Sequence, residues 1–430
     1  MIYFKKKQGL VVTAFFSLVC STGYAQKQIS FQNSSNEERK DELVVLSRPV
    51  LEKKLGVIPR GKYVIFKKGT GMPLVVQYDD LNGDGKWDEV AFLYSFKPKE
   101  NLALKIETSN SPATIKAMVR AHVRHMKKNA DNSFGPALDK DVMPVNAQPT
   151  DFSKQALPPY LTEGPAWEND KVGFRLYFDV RNGKDIWGKT TTRMVLDEVG
   201  ADTSKNYHHQ ADWGMDILKV GPSLGAGALA LKVPLSNGKD TLVRLGGSNI
   251  GRVTYEKVAD GPVRAICRLK YINWKIAKGM APVSVTEEIH IWGGQYFYES
   301  HVSVTGAPKG AKLVTGIVNL HSHQVHQVDT AGSKAIYTYD VQSENNDRLG
   351  MAVVMRAASV AGTATTPNAN TDVQNTYLML ANISNNKPVI YRFYACWEKS
   401  DDRFTNEEGF RRFMIEETKK SVINYKLQAR

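Results

Sequence analysis

The chain has 430 residues, carries 57 Lys and Arg against 44 Asp and Glu for a net charge of +13, and contains three cysteines. So few cysteines in so long a chain exclude a disulfide framework. With 42% hydrophobic residues the chain can bury two domains or one large β architecture.

Residues 1–25 read as a secretory signal, with Lys5, Lys6 and Lys7 at its start, an apolar run over 9–19 and a small-x-small site at Gly23-Tyr24-Ala25. The apolar run is too short to span a bilayer, and no later segment is apolar enough, so no transmembrane span is expected. Cys20 raises the alternative of a lipoprotein anchor, which Val19 before it disfavours. The protein is therefore expected in the periplasm or outside the cell. Cleavage would lower the net charge by three and leave Cys267 and Cys396, either paired or as buried free thiols on strands. An exported basic protein has little occasion to meet nucleic acid. Its surface favours an acidic polysaccharide or oligosaccharide, whose local concentration basic groups raise.

A compact β region is expected over 26–110. Within it, Asp80, Asn82, Asp84 and Asp88 place oxygens at positions 1, 3, 5 and 9 of a calcium-type loop, with Gly85 at position 6. The twelfth-position glutamate is missing, so the alternatives are a structural calcium and a tight turn between two strands. A basic segment and loop follow over 111–165, whose stretch 116–128 holds His122 and His125 and fits either a strand or a helix.

The main domain is expected over 166–430, as a large antiparallel β-sandwich with a C-terminal helix. After Trp167, Glu168 and Asn169, residues 172–180 alternate, which puts Val172, Phe174, Leu176, Phe178 and Val180 on a core face and Arg175, Tyr177 and Asp179 on the other. Residues 207–216 are the densest chemistry in the chain: Tyr207, His208, His209, Asp212, Trp213 and Asp216 supply proton-transfer groups beside an aromatic face. The run 221–227 is glycine-rich but lacks the lysine of a phosphate loop, so no nucleotide cofactor is expected. Strand signals over 283–292 and 296–305 flank Gly293-Gly294 as a hairpin, where His290, Glu299 and His301 alternate. Further strands are expected over 313–320, 352–356, 377–381 and 389–394, with turn residues at 384–388. His321 and His323, two apart on a strand, would share a face that binds zinc with a third ligand or lines a sugar. Thr405 and Glu408 fit a capping box ahead of Phe410, Phe413, Met414 and Glu417.

The motif Trp167-Glu168-Asn169-Asp170 with Phe174-Arg175 and Tyr177 resembles a signature of an exported Bacteroidota family, domain of unknown function 4861. Residues 80–92, Asp212-Trp213-Gly214-Met215-Asp216 and Cys396-Trp397-Glu398 are similar to its other recurrent stretches, so the resemblance covers nearly the whole mature chain. It implies a galactose-mutarotase-like supersandwich and a setting among other glycan-utilisation proteins, often pectin- or uronate-related. It supplies no catalytic residue.

Three functions follow as expectations. The first is β-elimination on a uronic-acid glycan, which needs a base for the proton α to the carboxylate and a group that neutralises that carboxylate. His208 or His209 would be the base and Tyr207 the acid, Arg175 with Asn169 the carboxylate clamp, Trp167 or Trp213 the stacking platform, and Tyr177 a further substrate contact. The second is a glycoside hydrolase or epimerase using Glu168 with Asp212 or Asp216. The third is a glycan-binding protein without catalysis.

Overall fold

Alternation explains the architecture. In Val283–Trp292, Val283, Val285, Ile289 and Ile291 are buried, while Ser284, Thr286, Glu288 and His290 between them are only partly so. Strands of this kind build a nine-stranded antiparallel sheet in the order His326–Asp329, Ser333–Val341, Arg348–Arg356, Val389–Trp397, Phe297–Thr305, Val283–Trp292, Arg264–Trp274, Ile250–Asp260 and Lys140–Val142. Two five-stranded sheets face it. One runs Gly214–Asp216, Lys184–Lys189, Val172–Leu176, Ala166–Asn169, Ala121–Arg124, and the other Asp240–Arg244, Ala230–Pro234, Lys312–Val318, Thr376–Asn382, Val360–Thr365. Phe174, Ile186, Leu231, Ile317, Tyr298 and Phe393 interlock in the core that joins the sheets. The protein is thus mainly β, a large antiparallel sandwich closed by a C-terminal helix.

The computed structural model describes residues 27–421 apart from 114, 116, 368–370, 385 and 386, together with the backbone of Lys426–Gln428. The signal segment and Cys20 lie outside the described residues, as do Lys116 of the basic stretch and part of the turn at 384–388. Among the described residues no helix is long and apolar enough to cross a membrane. Cys267 and Cys396 are both buried and unpaired with each other.

Two small sheets near the N-terminus pack around Phe31, Val44, Phe66, Phe92 and Leu104. Between them sits a helix the sequence reading did not anticipate, Arg48–Leu55, with Pro49 in its first turn and Leu51 buried. The basic stretch resolves as a strand, Ala121–Arg124, paired with Ala166–Asn169.

The C-terminal helix runs Glu407–Lys420 and packs Phe410, Phe413 and Met414 on the outer face of the nine-stranded sheet, beside Tyr337 and Tyr394. Its cap is one residue later than expected. Asn406 Oδ1 accepts from Gly409 N at 2.9 Å, and Glu408 turns to Arg411 and Arg412 instead of reaching back to Thr405.

Candidate acid–base site beneath the 190–213 loop

The outer face of the first five-stranded sheet is charged and yet buried. Arg175 and Asp185 are direct cross-strand partners, and Trp187 pairs with Asp216 on the next strand. Period-two alternation therefore brings Arg175, Asp185 and Asp216 to one side of the sheet, away from Phe174 and the core. The 190–213 loop folds over them, and Val195, Leu196 and Val199 pack on Trp187 with Tyr207 and Trp213.

At the centre stands the Arg175 guanidinium, 2% exposed. Its Nη2 donates to Asp185 Oδ2 at 2.7 Å, to Asp216 Oδ2 at 2.8 Å and to the Tyr177 hydroxyl at 3.0 Å. Tyr177 in turn donates to Asp185 Oδ2 at 2.7 Å, and the rings of Tyr177, Trp187 and Tyr207 surround the guanidinium. Two buried carboxylates share one cation, so one of them resists ionisation. Burial, then the neighbouring Asp185, pushes the Asp216 carboxyl well above the usual carboxylate range.

Thr162 and Glu163 both hold left-handed backbone, at φ 49° and 66°, a strained conformation for non-glycine residues. Gly164 follows because a Cβ there would meet the Leu176 carbonyl at 2.2 Å. The turn aims Glu163 at Arg181 (2.6 Å) and toward Arg175 (3.7 Å).

His208 sits at the mouth. Its side chain is 54% exposed, with Nδ1 3.5 Å from Asp216 Oδ2 and the ring 4.6 Å from Tyr207. Burial and the Arg175 charge lower the imidazole pKa, so it is neutral at pH 7, while burial raises the Tyr207 phenol and keeps its proton on. Tyr207 also lines a cleft of about 530 Å³, together with Trp213, His209, Asp212, Arg193 and Asn206. Trp213 is half-buried there and offers the aromatic surface; the Asp212 side chain is 83% exposed, 3.5 Å from Arg193.

Several expected site residues are structural. Trp167 is buried on the core side, stacked near Phe174 and edge-on to Tyr298, so it presents no face to a sugar and lies across the sheet from Arg175. Glu168 is an anchor and not an acid or base: it pairs with Lys189 in a fully buried bridge and accepts from Val195 N and Leu196 N. Asn169 spends its amide on Trp292 and Gln295 carbonyls and its oxygen on Lys171 N and Val172 N. Arg175 and Tyr177 are buried beneath the loop and not on an open sheet face, since the strand ends at Leu176 and both side chains are saturated by carboxylates. A substrate carboxylate would have to displace one of those.

His321 and His323 lie exposed in the loop before His326–Asp329, off any strand, so they share no sheet face. His326 stacks on Tyr337 instead. Among the described residues no group of three or more His, Cys, Asp and Glu is arranged around a metal position. In the 80–89 turn, Asp80 accepts from the amides of Gly83, Asp84 and Gly85, Asn82 from Asp84, and Asp88 from Leu81.

Asp185 and Glu163 escaped the sequence reading. Alternation through Asp185, Trp187 and Lys189 could have found the first, placing it opposite Arg175. Nothing in composition marks Glu163, whose aim depends on a strained turn.

The protein is a large antiparallel β-sandwich with one charged sheet face covered by a loop. The chain belongs to the family called domain of unknown function 4861, whose sequence pattern matches residues 31–424. An uncharacterized protein of Formosa agariphila is 27% identical over 277 residues, which are 60% of this chain and 65% of that relative, so the match spans less than two thirds of the relative's length. Two Enterococcus faecalis structures, an alpha-mannosidase and a protein in glycosyl hydrolase family 38, are similar at TM-scores of 0.44 and 0.46 with 9% and 8% identity. They match 89% and 93% of this chain but 44% and 47% of their own lengths.

Proposed function

We propose that this chain is an exported carbohydrate-active protein that performs acid–base chemistry on a uronate-containing glycan, with β-elimination as the reaction. The observation that carries the reading is the pair Tyr207 and His208, in ring contact at 4.6 Å with opposite proton preferences. A neutral imidazole accepts the proton α to the carboxylate, and a protonated phenol donates to the departing oxygen. Trp213 stacks on a sugar in the adjoining cleft, and Asp216, held protonated, donates where negative charge develops. Arg175 holds Asp185 and Asp216 in place.

A second reading is favoured by the same carboxylates. Asp216, whose carboxyl burial pushes well above the usual range, as acid and Asp185 as base share one guanidinium nitrogen, and a pair of carboxyl groups at one site is what glycoside hydrolases use.

Incubating the mature protein with pectic, alginate-like and glucuronate-bearing polysaccharides separates the readings. A rise in ultraviolet absorbance from a conjugated uronate supports elimination. New reducing ends without that rise move the chemistry to Asp185 and Asp216. Retention on a glycan with neither product makes this a binding protein.

A further inference from the structure

A second cavity, of about 640 Å³, lies between the small N-terminal sandwich and the outer face of the nine-stranded sheet. That volume falls within the range of ligand sites. Where the C-terminal helix covers this face, the sheet presents Ala335, Tyr337, Ala352 and Tyr394, as a buried face should. Where the N-terminal sandwich covers it, the sheet turns charged at its centre. One cross-strand row is Arg268, Glu288, His301, and the next is His290, Glu299, Arg392.

Covering charges costs free energy that packing alone does not require. The charges are ordered in alternation: Glu288 accepts from Arg268 at 2.7 Å, and Glu299 from His301 and Arg392 at 2.8 Å each. His290 stacks on His301 at 4.3 Å, and its Nε2 is shut off from solvent with no hydrogen-bond partner. Glu288 stands 3.6 Å away, beyond hydrogen-bond distance. An orphaned buried nitrogen in a cavity wall calls for a polar partner.

We propose that this cavity is a binding site for a neutral sugar of one or two units, separate from the His208 site and independent of the reading given to it. A hydroxyl both donates and accepts, and alternating guanidinium, carboxylate and imidazole groups offer both functions side by side. Four of the arginines that line the cavity are already paired, Arg39 with Glu42, Arg264 with Glu89, Arg268 with Glu288 and Arg392 with Glu299, so a neutral ligand leaves these pairs intact where an anion would have to break one. Burial alone would raise Glu299, but Arg392 and His301 hold it well below the usual carboxylate range.

The test is calorimetric titration of the full mature protein with the monosaccharides and disaccharides of mannose, glucose, galactose and xylose, combined with hydrogen–deuterium exchange. Saturable binding by at least one sugar is expected, weakened about tenfold by His290→Ala, the loss of one good hydrogen bond. Glu288→Gln, which keeps the side-chain shape, should weaken it similarly with an unchanged melting temperature, so that loss of binding is separated from misfolding. Protection should appear in Val283–Trp292 and Phe297–Thr305. No binding by any of the four sugars, binding indifferent to both variants, or protection confined to 200–216 would overturn the proposal.

Discussion

The bridge between Glu168 and Lys189 makes a sharp quantitative prediction. Both side chains are fully buried, and Glu168 also accepts from Val195 N at 2.6 Å and Leu196 N at 2.8 Å, which fastens the start of the loop carrying Tyr207 and His208. Lys189→Met removes the cation and leaves the carboxylate buried and uncompensated, a loss of about 3–5 kcal/mol. With an unfolding entropy of about 2.1 cal/mol/K per residue over 430 residues, that loss lowers Tm by roughly 3–6 °C if the chain melts as one unit. Differential scanning calorimetry measures it, and hydrogen exchange at Val195 and Leu196 should accelerate. Glu168→Gln on the Lys189→Met background removes the stranded charge and keeps an oxygen for the two amides. The double variant should therefore be more stable than Lys189→Met alone, a coupling that a double-mutant cycle reads directly. A Lys189→Met protein that melts with the wild type would refute the anchoring role, and a double variant less stable than the single would refute the charge argument.

The two tryptophans offered as sugar platforms separate cleanly. Trp167→Ala opens a cavity in the core and should cost about 3–5 kcal/mol, whereas Trp213→Ala, at the half-buried cleft wall, should weaken glycan retention and leave the melting temperature nearly unchanged. His122 lies between Asp197 of the loop and Asp260 of the nine-stranded sheet, at 2.9 and 3.1 Å. Burial alone would lower its pKa, but the two carboxylates outweigh it and raise it to about 10. Its stabilising effect is therefore full below the unfolded value of 6.5 and lost as pH rises toward about 10, so the stability gap between wild type and His122→Gln should close over that window in denaturant titrations. For the 80–89 loop, whose Asp80, Asn82 and Asp88 oxygens accept from the loop's own amides and are not gathered around a metal position, we propose that a structural calcium would draw Asp80, Asn82, Asp84 and Asp88 together on binding. Calcium should raise the melting temperature of the wild type and not that of Asp80→Ala, and equal responses would leave the loop a turn.

What could be read from the sequence was periodicity. The hairpin through His290 and Glu299 and the strand holding Phe174 and Arg175 both follow from alternation, because a sheet with one buried face imposes period two. Burial of the other face could not be read, since it depends on a loop from distant residues. Arg175, Tyr177 and Asp185 look like solvent-facing positions until Val195, Leu196 and Tyr207 close over them. The same blindness made Glu168 and Asn169 resemble site residues: their polarity serves the loop and the hairpin turn at Gln295. His208, Tyr207 and Asp216 were marked by density alone, and the structure brings them together around Arg175. His290 and His301 looked like isolated strand histidines, because their stacking requires the register between two strands. Arg48–Leu55 was missed because its apolar face is a single buried leucine.

The central claim is that Tyr207 and His208 act as acid and base on a uronate glycan. Its most direct measurement is the rate of ultraviolet product formation by wild type, His208→Ala and Tyr207→Phe on the glycan that the polysaccharide panel selects. Each variant should lose about 10²–10⁴-fold in kcat/KM while folding as the wild type does, the contribution expected of a positioned proton-transfer group. Variants that retain the wild-type rate would contradict the claim.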